Sequence, residues 1–204
     1  YETYIVPGLI AMIQLFNGMQ SSLSMIYDRE MGSMRVLMTS PMPRWFLLIS
    51  KLLAGTSVSI IQVYVFLGIA YLFEIEAPAM GYLALLPVLI VTGLMLGALG
   101  MLLSATVRQL ENFAGIMDFV IFPMFFLSSA LYPLWKIGES SPLLKQICEL
   151  NPFTYAVESI RFALYQQFNE TAFFITVMAG ALFLLLAVRG YNPAKGMAQR
   201  KGQP

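Results

Sequence analysis

Histidine is missing from this chain altogether, and cysteine occurs once, at Cys148. The first absence removes imidazole metal ligands, Ser/His catalytic pairs and His proton relays. The second leaves no internal disulfide to form. Charge is scarce too: Asp, Glu, Lys and Arg make up 11% of the 204 residues, against about 25% in an average soluble domain. A formal net charge of +1 supplies no broad basic field, so nucleic acid is not an expected partner. No basic-then-apolar leader precedes the first apolar run, and the chain opens on Tyr1 rather than Met.

What the chain has instead is hydrocarbon, with 58% of its residues hydrophobic. Five apolar segments meet the ~20 residues a bilayer-crossing helix needs, or come close to it: residues 4–27, 45–73, 79–107, 112–129 and 172–188. The expected fold is therefore an all-α integral membrane protein. Charge then chooses the sides. With the loop after the first span inside, Arg29, Arg35, Arg44, Lys51, Arg108, Arg189, Lys195, Arg200 and Lys201 fall inside. Only Lys136, Lys145 and Arg161 fall outside, an asymmetry that obeys the positive-inside rule. The basic C-terminal tail is then cytoplasmic and the start external. An external start without a signal leads to the expectation of at least one further span upstream.

Between the fourth and fifth spans, residues 132–168 are too polar to cross and too apolar for an ordinary loop. Ser141-Pro142 and Asn151-Pro152 each offer a cap followed by proline at the first helical position. After the second, Phe153, Ala156, Val157, Ile160 and Leu164 recur at helical spacing, with Glu158 and Arg161 on another face. These features predict outer helices that lie at the interface or dip back into the bundle. On the third span, Gly93, Gly97 and Gly100 predict close helix packing.

The charge that remains is concentrated in "IYDREMGSMRVLMTSPMPRW", Ile26 to Trp45. Asp28 and Glu30 match the positive end of a helix dipole, and Pro41 and Pro43 would stop that helix before Trp45. Met31, Met34 and Met38 follow a helical repeat and form an adaptable surface suited to a protein partner. The predicted element is a short cytoplasmic helix over residues 28–40. Its arginines either enforce topology or meet that partner, and pattern leaves both readings open.

These residues resemble a family, the ABC-2 type permeases. "DREMGS" at Asp28–Ser33, followed by Leu37 and Thr39-Ser40-Pro41, is similar to the pattern after the family's second span. "YIVPGLIAM", "LSSALYPL", "NPFTYAVESIRFAL" and "RGYNPAKG" follow in the family's order over nearly the whole chain. Ser128-Ser129 departs from the more usual Ser-Gly. The family's amphipathic helix and first span have no counterpart, so the five segments resemble its second to sixth spans.

The resemblance implies a coupling helix whose docking residues are Asp28, Arg29, Glu30, Gly32, Ser33, Arg35 and Leu37. It would dock on a cytoplasmic ABC ATPase subunit. That partner would bind ATP and Mg, since this chain carries no Gly-x-x-x-x-Gly-Lys-Ser/Thr loop and is expected to bind no cofactor itself. The resemblance further implies a homodimer in the cytoplasmic membrane of a prokaryote, exporting a drug, lipid or lipid-linked glycan. The pathway would run between the copies, lined by Met12, Phe16, Asn17 and Gln20 on one side and Asp118, Phe119, Phe122, Met124 and Phe126 on the other. Such a surface suits an amphipathic substrate better than an ion. The alternative is an ion-driven secondary transporter working through Asp118, an acid that is expensive inside a span. That reading calls for an internal repeat, and none is evident. An intramembrane enzyme would need an assembled nucleophile–base pair, which the composition does not supply.

Overall fold

A computed structural model describes residues 2–30, 44–74, 77–107 and 110–190. Eight helices account for nearly all of them: α1 (Glu2–Glu30), α2 (Arg44–Leu72), α3 (Ala79–Thr106), α4 (Leu110–Phe126), α5 (Leu134–Ser140), α6 (Pro142–Leu150), α7 (Pro152–Leu164) and α8 (Glu170–Gly190). Among the described residues, α1, α2, α3 and α8 are long and apolar enough to cross a membrane. The chain is an all-helical membrane protein.

The fourth expected span is shorter than the pattern implied. α4 has 17 residues, ~25 Å of helix against a hydrocarbon core of ~30 Å. It stops at Phe126 rather than at residue 129. The Ser128 hydroxyl donates to the Phe125 carbonyl (2.6 Å) and accepts from the Ala130 amide (3.2 Å), which offers the backbone a turn in place of a further helical bond. α1 also departs from expectation, running unbroken to Glu30, so that Asp28 lies in its last turn and does not begin a new helix. No glycine or proline interrupts residues 24–30, which leaves nothing to end the helix earlier.

The remaining boundaries follow local chemistry. Ser141 accepts from the Leu144 amide at the start of α6, and Asn151 accepts from the Phe153 amide at the start of α7. Both are the serine- and asparagine-proline starts expected from sequence. Asn169 does the same for α8, accepting from the Ala172 amide at 3.0 Å.

α1, α3 and α8 run in one direction and α2 and α4 in the other. Lys51 and Arg189 therefore gather at the Asp28 end, and Lys136, Lys145 and Arg161 at the Tyr4 end. The grouping is the one the charge asymmetry required. α3 is apolar on every side, and a helix of that kind belongs in the middle. It packs against α1, α2, α7 and α8, with Leu85, Leu89, Met95 and Leu96 fully buried. α4 packs chiefly on α1, through Phe113, Met117 and Ile121, and its far end meets Asn151 and Phe153.

Hydrocarbon solvates leucine as well as a protein core does, so these helices associate through contact and not through expulsion of water. Glycine sets the contact. A Cβ at Gly18 would stand 2.8 Å from the Leu96 carbonyl carbon, and one at Gly100 would stand 2.6 Å from the Gly18 oxygen. Gly93 admits the Thr56 methyl and Gly97 admits Leu52. The three glycines of α3 serve close packing, as their spacing predicted. Gly68 on α2 meets nothing within 4 Å.

Replacing Gly18 with valine should push α1 off α3 and cost about 1–3 kcal/mol, the usual range for overpacking. In a detergent thermal-unfolding assay Gly18→Val should melt well below the parent, while Gly68→Val melts with it. Equal melting of both variants would refute the backbone contact.

Candidate functional site

Polar groups in α1 recur every third or fourth residue: Gln14, Asn17, Gln20 or Ser21, and Ser24. Each takes a different role. Gln14 is buried and donates from Nε2 to the Leu89 carbonyl (2.8 Å), while its Oε1 accepts from the Thr92 hydroxyl (2.5 Å). It ties α1 to α3 and is structural. Asn17 donates to the Ile13 carbonyl (2.9 Å) and to Gln62 Oε1 on α2 (2.6 Å). Gln20 is exposed. Ser22, one position off this row, bonds back to the Gly18 carbonyl at 2.7 Å and so needs nothing from its neighbours.

At the Asp28 end, Lys51 of α2 pairs with the Asp28 carboxylate and reaches Ser24 Oγ at 3.3 Å. Lys51 is thus held by α1 at the end of its span. The pair offsets a carboxylate placed at the unfavourable end of the α1 dipole. It also clasps the two helices that flank the charged segment. The side chains of Arg29 and Glu30, and residues 31–43 with Gly32, Ser33, Arg35 and Leu37, lie outside the described residues.

The residues expected to line one pathway are divided between two surfaces. Asn17 and Gln20 join Ser21, Ser24, Lys51 and Gln62 around a cleft of about 450 Å3 between α1 and α2. Met12 and Phe16 are half-buried against the core. On α4, Phe125 turns inward, whereas Asp118, Phe119, Phe122 and Phe126 are exposed on the face away from α1. Phe119 is 79% exposed, and the Phe122 and Phe126 rings stack at 6.3 Å. Met124 is half-buried against the core, and its carbonyl accepts from Asn151. Lys51, Gln62 and Ser21 were not expected at a site. The signal was there in Gln62, an amide within an apolar run, but only the fold brings it to Asn17.

The Tyr4 end carries a second polar node. Arg161 was assigned to a separate face of α7, yet it reaches inward. Its Nη2 donates to the Ser129 carbonyl (2.7 Å), its guanidinium lies 3.8 Å over the Tyr4 ring, and the Tyr4 hydroxyl donates to the same carbonyl (2.8 Å). Asn151 donates to the Met124 and Leu127 carbonyls, both at 2.7 Å, closing the end of α4. The apolar row of α7 is fully buried, as its spacing implied. α7 thereby joins the outer turn to α1, α3 and α8. Burial lowers the Arg161 pKa, with Tyr4 and Glu158 opposing that shift. Burial raises the Glu158 carboxyl above its ordinary range, with Arg161 pulling it back down and Glu149 adding to the rise.

The protonated form of Glu158 therefore favours the folded protein. That contribution is full below the unfolded carboxyl value and is lost as pH rises through the elevated folded one. Glu158→Gln should remove this dependence. Its melting temperature should match the parent near about pH 4 and exceed it by a few degrees near about pH 8. A parent that melts at the same temperature as the variant across that range would show that Glu158 ionises without cost.

A family profile described as "ABC-2 type transporter" matches residues 1–165. A protein of Porphyra purpurea named as a transport permease, ycf38, is 32% identical over 165 residues, covering 79% of this chain and 55% of its own. A protein of Escherichia coli named as a multidrug ABC transporter permease, YbhR, is 31% identical over 159 residues, covering 76% and 42%. Nodulation protein J of Rhizobium leguminosarum bv. viciae is 34% identical over 93 residues, covering 43% and 35%. The chain spans about half the length of the first two relatives. No solved structure matches it significantly.

Proposed function

The chain belongs to the ABC-2 type transporter family, and we propose that it acts as the membrane permease of an exporter driven by ATP hydrolysis on a separate subunit. The observation that carries this reading is the Asp28–Lys51 clasp. It ties the end of α1 to the start of α2 at the mouth of the charged segment. Force delivered to that segment by a docked ATPase would reach two spans together, as a hinge or shear motion requires. Arg29, Glu30, Gly32, Ser33, Arg35 and Leu37 supply the docking contacts, and the Asp28 end faces the cytoplasm. ATP and Mg are bound by the partner subunit.

A second copy completes the unit by covering the outward face of α4. An acid facing hydrocarbon is costly, and Asp118 shares that face with Phe119 and the Phe122–Phe126 stack. A partner helix or a water-filled pathway between the copies relieves the cost. One relative is named a multidrug ABC transporter permease, and an amphipathic substrate suits a surface of phenylalanines broken by one acid.

Reconstitution of the full-length protein with its ATPase tests the coupling. Glu30→Arg and Gly32→Pro should weaken ATPase binding by on the order of tenfold or more, the effect of losing one charge-assisted contact. Lys51→Met should leave binding in place and reduce transport per ATP hydrolysed. Unaltered binding and transport in all three would refute the proposal. A flux that persists without ATP, responds to uncouplers and disappears in Asp118→Asn would favour the ion-driven alternative.

A further inference from the structure

The cleft between α1 and α2 holds Asn17 and Gln20 of the expected pathway and lies apart from the α4 face that was expected to complete it. It begins at Lys51 and extends to Gln62, eleven residues further along α2, or ~16 Å. Since α2 starts at Arg44 and ends at Leu72, Gln62 lies near the middle of the span. The cleft is therefore a groove that carries polar side chains among apolar ones to mid-bilayer depth.

Its chemistry is specific. Among the described residues, Lys51 is the one charged side chain in the lining, and it is paired with Asp28. What the groove presents is hydrogen-bonding capacity. Asn17 uses its amino group on Gln62 and Ile13, which leaves its carbonyl oxygen available. Gln62 accepts that bond and keeps its amino group. Gln20 makes no hydrogen bond among the described residues, and Ser21 adds a hydroxyl to the lining. Lipid tails can satisfy none of these groups, and an unmet amide at this depth costs several-fold more than the same amide in water. Beyond Gln62, Val65 and Ile69 continue the same face of α2 and are exposed hydrocarbon.

We infer that this groove binds the uncharged, hydroxyl-bearing head of an amphiphile, such as a sugar or polyol, while the tail remains in lipid along α2. The head forms hydrogen bonds to Ser21, then Gln20, then Asn17 and Gln62 as it moves inward. A cationic or anionic head would displace the Asp28–Lys51 pair and find no counter-charge deeper in. This inference rests on the permease reading and narrows its substrate to neutral polar heads.

The test uses the full-length permease–ATPase complex in nanodiscs with three photoreactive probes that share one diazirine-bearing alkyl chain: a glucoside, a trimethylammonium and a phosphate. Label is mapped by mass spectrometry. The glucoside should label residues 17–24 and 51–62 roughly tenfold more than either charged probe. Gln20→Leu should bring it down by several-fold, and Val58→Trp, which fills the groove, should abolish it. Gln20 and Val58 are exposed or at the cleft wall, so both variants should fold; matched melting curves check this. Equal labelling by all three probes would overturn the inference, because the tail alone would then bind. So would preference for a charged head, or a disulfide between two copies carrying Gln20→Cys, which would make the groove a subunit interface. In the unsubstituted complex, failure of head-selective labelling with permease-stimulated ATP hydrolysis intact rejects the groove alone. Absence of that stimulation rejects the permease reading instead.

Discussion

The backbone of α1 meets the backbone of α3 at Gly18 and Gly100, and the rest of the bundle is arranged around that approach. In a bilayer no solvent drives helices together, so short-range contact must do so, and side chains at the crossing would hold the axes apart. Gly93 and Gly97 extend the approach towards α2, by admitting Thr56 and Leu52. Gly81 repeats it at the opposite end, where its position beside the Leu164 carbonyl leaves no room for a Cβ. The helices thus close on α3 through the absence of side chains at a few positions.

With the helices that close, polar groups inside the bundle have two fates. Hydroxyls satisfy themselves locally: Ser22, Thr56 and Thr176 each bond to the carbonyl four residues back. Amides carry more donors and acceptors than one local bond can meet, so they also reach another helix. Gln14 finds Leu89 and Thr92 in α3, and Asn17 finds Gln62 in α2. The first is a buried structural tie. The second is open on one side, which is why the groove has unspent hydrogen-bonding capacity while the α1–α3 interface has none to spare.

α1 is also held at both ends, and by different chemistry. The Lys51–Asp28 pair holds one end to α2, and Arg161 with Ser129 holds Tyr4 to the outer turn and α7. A helix clasped in this manner moves as a rod. Displacement of the charged segment at one end would be carried towards the outer helices at the other, along the helix that bears Asn17 and Gln20.

Much of this was legible in the sequence, because it depends on properties that are local along the chain. The apolar runs of α1, α2, α3 and α8, the basic residues that share one end, and the Ser-Pro and Asn-Pro helix starts all act within a few residues, and the structure agrees with them; the run at 112–129 is the exception. The charged segment between α1 and α2 was recognisable from its motif. The partnerships were not legible. α3 is apolar on all sides, so periodicity could not say which face meets α1. The acid at Asp28 looked like a helix start because its partner, Lys51, is 23 residues away. Arg161 looked like a surface residue because Ser129 and Tyr4 come to it from distant parts of the chain. Sequence by itself determined four of the spans and the family. Tertiary structure decided which polar groups are satisfied and which remain open, since a hydrogen bond between helices depends on how close two backbones come, and glycines far apart in sequence set that distance.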